Sequence, residues 1–199
     1  MPVPLNVERG LKNLHGSSPT LGRGGGENAG MSTPDPEVLS VLQAAFEAVR
    51  AGDTVKLRDL LDMGVPPGLR NEKGDSLVML ASYHGFLEVT KLLLERGADP
   101  EVFNDMGQTP LQGAAFKGNM DMVKLLLEHG ASVEGRGPNG RTALMMAAMF
   151  DRPDILKLLL ERGADPHASD AAGMNALAAA RQMGASSTAT LLENLKAGG

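Results

Sequence analysis

The sequence predicts an all-α solenoid of stacked helix-turn-helix units, and three glycine series carry that prediction. Gly74, Gly107, Gly140 and Gly173 recur every 33 residues. Gly52, Gly85, Gly118 and Gly184 keep the same spacing, with Asp151 standing where one glycine is due. Gly64, Gly97, Gly130 and Gly163 form the third series. A fixed period of about 20–50 residues marks a repeat array rather than a single layered core. Composition agrees: with no Trp and 3% aromatics, the packing falls to Ala, Leu and Met, which suit small, closely spaced helices.

Asn104 to Arg136 is the clearest copy of the unit. Thr109 is placed to cap a first helix, and Pro110 takes its first position, where a missing N–H costs nothing. Ser76, Thr142 and Asn175 occupy the same capping position. The helix runs from Leu111 to about Lys117, with Ala114 and Ala115 small enough to admit a close neighbour. Gly118 ends it. A second helix opens near Asp121, whose charge suits the positive end of the helix dipole, as do Glu88 and Asp154 in the flanking copies. Leu125, Leu126 and Leu127 match the triplets at Leu92 and Leu158. Gly130 supplies a left-handed cap, and Arg96, His129 and Arg162 stand just before it or its equivalents. Lys91/Glu95, Lys124/Glu128 and Lys157/Glu161 are spaced for i,i+4 pairing on a solvated face. Helices of about 7–10 residues are marginal alone, so their apolar faces are buried only by stacking on neighbours.

Three full units are expected at 71–103, 104–136 and 137–169, flanked by capping units at 36–70 and 170–196. Asp59 and Glu193 replace leucines of the triplet, and Thr188 replaces Ile155, each expected to put a polar group on a terminal face. Residues 1–35 read as a Gly/Pro-rich disordered tail, with at most a helical turn between Val7 and Leu14. Gly24-Gly25-Gly26 lacks the flanking strand and helix that a phosphate loop requires. Gly25-Gly26-Glu27 is what a translated purine-rich ribosome-binding site would encode, so a native bacterial start at Met31 is expected.

Bulk properties exclude several classes. A net charge of −5 argues against a nucleic-acid partner held by charge. No apolar run reaches the length of a membrane span, and no secretory signal core is present. Without Cys there is neither disulfide nor thiolate chemistry. His15, His84, His129 and His167 form no metal-ligand spacing, and no nucleophile elbow or phosphate-loop motif occurs. Neither a catalytic site, a cofactor nor a metal is expected.

The stretch TPLQGAAFKGNMDMVKLLLEHGAS closely resembles the ankyrin repeat, and the resemblance extends over about 36–196. It implies antiparallel helix pairs, hairpin-like loops between units, and protein binding through a concave side and loop tips. The family's histidine after Thr-Pro-Leu is Gln112 here, Met79 and Met145 in the neighbours and Ala178 in the last unit. Gln112 is expected to substitute in part for the loop-tying role that histidine has in the family. Asp151-Arg152-Pro153 replaces the interhelix glycine segment, so that turn is expected to differ and 137–169 to be the least regular unit.

In the family the two residues before the interhelix glycine vary and face the concave side. Here they are Tyr83-His84, Phe116-Lys117, Met149-Phe150 and Gln182-Met183. Three of the chain's six Phe and Tyr residues fall in this set, and stacking would align them as an apolar stripe with a basic component, suited to a partner. The competing reading is that some rings pack between units. Glu72, Lys73, Asp75, Asp105, Met106, Gln108, Asn139 and Arg141 would form a polar rim, with Phe103 in core or rim. The expectation is a cytoplasmic, monomeric, non-enzymatic adaptor or regulator that binds a protein. A bacterial effector, or an accessory subunit of a larger complex or enzyme, is the alternative.

Overall fold

Side-chain caps open the helices where the sequence places them. In the computed structural model, which describes residue 10 and residues 35–197, ten helices follow residue 35. These are α1 (Pro36–Ala51), α2 (Thr54–Asp62), α3 (Leu77–His84), α4 (Leu87–Glu95), α5 (Pro110–Lys117), α6 (Met120–Glu128), α7 (Ala143–Met149), α8 (Pro153–Glu161), α9 (Ala176–Met183) and α10 (Ser186–Ala197). Ser76, Thr109, Thr142 and Asn175 accept from the third helical N–H of α3, α5, α7 and α9. At α5 the cap is reciprocal: Gln112 Oε1 also accepts the Thr109 N–H. The expected tail disorder, the Val7–Leu14 turn and the Met31 start lie outside the described residues.

The described chain is all-helical apart from isolated antiparallel bridges, Arg70 with Ser76 and Ser169 with Asn175, which give their loops a hairpin character. It forms two compact units, residues 1–99 and 100–199. In the first, α1 packs on α2 and α3, and α4 packs on α2 and α3. Its core holds Leu42, Ala45, Phe46, Val49, Leu57, Leu77, Val78 and Leu93. In the second, α5, α7 and α9 lie side by side as one layer, and α6, α8 and α10 form the layer behind. Ala114, Ala115, Ala147, Ala148 and Ala180 are fully buried between them.

Two flanking helices are longer than expected. α1 has 16 residues and α10 has 12, against seven to nine in α2–α9. In α1, Val38, Leu42, Ala45 and Val49 continue one buried stripe at helical spacing back to the Asp35 cap. The outer-face pairing also differs: Lys157 Nζ meets Asp154 Oδ1 at 3.7 Å, an i,i+3 pair.

The 151–153 turn is not irregular in the expected way. Asp151 takes φ 51° and keeps the left-handed residue that Gly118 supplies at φ 75°. Asp tolerates this region better than most residues. Pro153 fills the first position of α8. The departures lie elsewhere: α7 has seven residues where α5 has eight, and α8 has no side-chain cap where Asn119 caps α6.

Thr188 corrects a second expectation. It is fully buried, not an exposed cap residue. Its hydroxyl donates to Ala148 O at 2.8 Å, and its N–H donates to Asp151 Oδ1 at 2.9 Å. Ser187 Oγ donates to Asp151 Oδ2 at 2.9 Å. Asp151 therefore caps α10 from the preceding repeat. Asp59 and Glu193 are exposed as expected. Glu193 Oε1 receives Arg181 Nη2 at 2.8 Å. The repeat period aligns Arg181 with the buried Ala148, so on this side of α9 an ion pair replaces alanine packing.

The Thr188 N–H holds the Asp151 carboxyl below the usual carboxylate range; partial burial opposes the shift, and the Ser187 and Thr188 hydroxyls assist it. A carboxylate with a lowered folded pKa adds stability above its unfolded value, near 3.9, and loses it as pH falls through the folded value. Asp151→Ala should cost about 1–2 kcal/mol in urea unfolding at neutral pH. The gap to wild type should narrow below about pH 4. A pH-independent gap would show that the lost contribution is not the carboxylate's.

Candidate protein-binding face

Left-handed residues stop the first helices and leave their last side chains projecting. In the first unit Tyr83 and His84 close α3 before Gly85, which has φ 80°. Tyr83 is 44% exposed, and its ring meets His84 edge-on with centroids 6.0 Å apart. His84 in turn stacks on Phe86 at 5.8 Å. Asp75 is half-buried, and Asn71 Nδ2 donates to its carboxylate at 3.1 Å. Asp75 is thus loop scaffold as much as rim.

In the second unit Phe116 and Phe150 are half-buried and pack edge to face, with centroids 4.4 Å apart at 89°. Met149 is half-buried, Lys117 is exposed and Met183 is 52% exposed. The reading in which rings pack between repeats applies here: the two Phe rings pack on each other and are only partly buried. At the loop tip Asp105 is exposed and Met106 is 70% exposed. Phe103 is also exposed, so it belongs to the rim. Gln108 is half-buried, and its N–H donates to Asn104 Oδ1 at 3.0 Å. Arg141 projects from the next loop with Nε 3.7 Å from Asp170 Oδ2.

The loops are closed by residues that sequence reasoning passed over. Asn71, Asn104 and Asp170 each accept two backbone N–H groups of their own turn. They lie one or two repeat periods apart, a signal masked by the identity change at Gly137. Glu101 Oε1 accepts the Ser132 N–H at 2.8 Å, and Glu134 Oε1 accepts the Asp165 N–H at 2.9 Å. These glutamates also share the period. Gln112 Nε2 donates to the carbonyls of Gly135 and Arg141, the tie expected of it. Asn139 Nδ2 reaches Met106 O at 2.8 Å, joining successive loop tips.

His129 Nδ1 lies 2.9 Å from Leu125 O, at a helix end. Among the described residues no group of three or more His, Asp or Glu side chains could hold a metal, and no helix is long and apolar enough to cross a membrane. An apolar recess of about 350 Å³ lies among Leu160, Pro166, His167, Leu177, Leu192 and Leu195.

Paired short helices at a fixed period, glycine-capped and joined by side-chain-closed loops, define a helical repeat scaffold. Comparison with known families agrees. The family model described as ankyrin repeats in three copies matches residues 45–137, and that for a single ankyrin repeat matches 139–171. The chain belongs to the ankyrin repeat family. It is also 52% identical over 58 residues to a curated ankyrin repeat protein of Pseudomonas aeruginosa. That match covers 29% of this chain and about a third of the relative, 34% of its length. Family members are generally protein-interaction modules without catalytic activity.

The ring contact makes a quantitative expectation. A double-mutant cycle on Phe116→Ala and Phe150→Ala should give a coupling of about 0.5–1.5 kcal/mol in urea unfolding. Additive losses would mean that the rings do not support each other.

Proposed function

We propose that this protein is a non-enzymatic adaptor or regulator that binds a protein partner through the ends of its first helices and its loop tips. Most leucines and alanines at the repeated positions are buried. Met106, Met183 and Tyr83 remain 70, 52 and 44% exposed at positions the repeat pattern leaves free. This exposure carries the reading, because Met and aromatic groups form adaptable, energetically dominant contact surfaces. The bacterial relative supports a bacterial setting, and a monomeric cytoplasmic protein is the simplest form of such a module.

A photo-crosslinking residue placed in turn at Tyr83, Met106 and Met183 should give one specific adduct in the native host. The same probe at Lys124 or Glu161, on second helices, should give none. Adducts only from the second-helix positions would move the binding surface to the opposite layer and overturn this assignment.

A further inference from the structure

We infer that the partner segment received by the second unit is acidic: it sets an apolar side chain on the Phe116–Phe150 pair and a carboxylate on Arg152. The inference rests on the protein-binding reading above and adds the chemistry of the ligand.

Arg152 owes its place to the departure from the glycine template. Asp151 keeps the left-handed turn, and Arg152 follows as the residue preceding α8, where its side chain caps nothing. It lies across Gly118 instead. A Cβ on Gly118 would stand 2.9 Å from Arg152 Nε, so the close approach requires glycine. Nε donates to Phe116 O at 3.4 Å. The guanidinium is thereby held beside the aromatic pair, with Nη donors left over. Equivalent positions are Phe86, Asn119 and Ala185, so one repeat alone carries the cation.

Several carboxylates of the second unit are engaged elsewhere, among them Asp154 two residues on, which pairs with Lys157. Asp151 turns to Thr188 and Ser187. Asp170 serves its own loop and Arg141. Glu101 and Glu134 accept backbone N–H groups. Among the described residues no carboxylate lies within ion-pair reach of Arg152. An exposed arginine bonded to the Phe116 backbone thus stands out on a chain of net charge −5. A guanidinium bonds a carboxylate with two parallel donors, and arginine beside aromatics is a frequent interface hot spot. One such arginine on an acidic protein is too little to hold a phosphate backbone, which favours an acidic peptide over a nucleic acid.

The test uses the full chain and three fluorescein-labelled probes: a peptide alternating Glu and Leu, its Gln/Leu counterpart, and a single-stranded oligonucleotide. At low salt the Glu peptide should bind about tenfold tighter than the Gln peptide. Arg152→Gln should remove most of that preference with the helical circular dichroism unchanged. Arg152→Lys should keep part of it, since lysine retains the charge and loses the fork. Lys124→Gln on the other layer should change nothing. Equal binding of the two peptides, binding of neither, a preference untouched by Arg152→Gln, or tighter binding of the oligonucleotide would each overturn the inference. If the Gln peptide binds and Phe116→Ala weakens it, the protein-binding reading survives while its acidic specificity fails. Loss of the first-helix crosslinks would reject the reading itself.

Discussion

The structure depends on small side chains where first helices meet. In the second unit Ala114, Ala115, Ala147, Ala148 and Ala180 are fully buried. Helices of seven to nine residues, the length of α5–α9, gain too few internal hydrogen bonds to persist alone. Their stability must come from close stacking, and close stacking requires almost no side chain at the contact. Arg181 shows the rule by exception. It aligns with Ala148, but α9 has no further first helix beside it among the described residues, and there an exposed ion pair with Glu193 is tolerated. The leucines of the second helices add the bulk of the apolar area, but alanine sets the spacing at which that area can be buried.

Stacking this close also fixes how the polar backbone must be treated. Loops pressed against one another have N–H and C=O groups that water reaches poorly, and each needs a partner. The chain supplies partners of two kinds. Asn71, Asn104 and Asp170 close their own turns. Gln112, Glu101 and Glu134 reach into the following loop, and Asn139 reaches back to the preceding one. The first kind shapes a unit, and the second ties one repeat to the next. Gln112 does both, since it completes a helix cap while its amide donates to two carbonyls.

What could be read from the sequence divides along the same line. Caps, helix spans and the buried leucines follow from residues within a few positions of one another, and they are legible as a repeated pattern. The role of Thr188 is not. Beside Ile155 it reads as a polar substitution on an outer face, yet its hydroxyl is satisfied by Ala148 O, 40 residues earlier. Asp75 and Gln108 read as rim residues because they are polar and lie in loops, while their bonds to Asn71 and Asn104 tie them into the turn. Phe116 and Phe150 occupy free positions of the repeat, but only folding shows that the two rings meet edge to face. For Thr188 and the two rings the missing information is a contact made across a repeat boundary, and for Asp75 and Gln108 it is a side-chain bond within the turn. A one-dimensional period marks where such a contact can form without saying which side chains will make it.

The replacement of glycine by Asp151-Arg152-Pro153 shows how such a scaffold can change its surface without losing its stack. Glycine in that turn provides a left-handed residue and room for a close neighbour. Asp151 provides the same backbone, and its carboxylate also caps α10, an interaction that offsets the strain of a non-glycine residue at φ 51°. Pro153 restarts the helix at the position where proline is cheapest. With both backbone requirements met by its neighbours, Arg152 is released from any capping duty and can lie over Gly118 beside the aromatic pair. The glycine kept in one repeat makes room for the arginine gained in the next. A local departure from the template therefore strengthens one contact between repeats and alters the charge of the exposed face. Asp151 carries the contact between repeats and Arg152 carries the new charge, so the surface can vary while the stacking constraint holds.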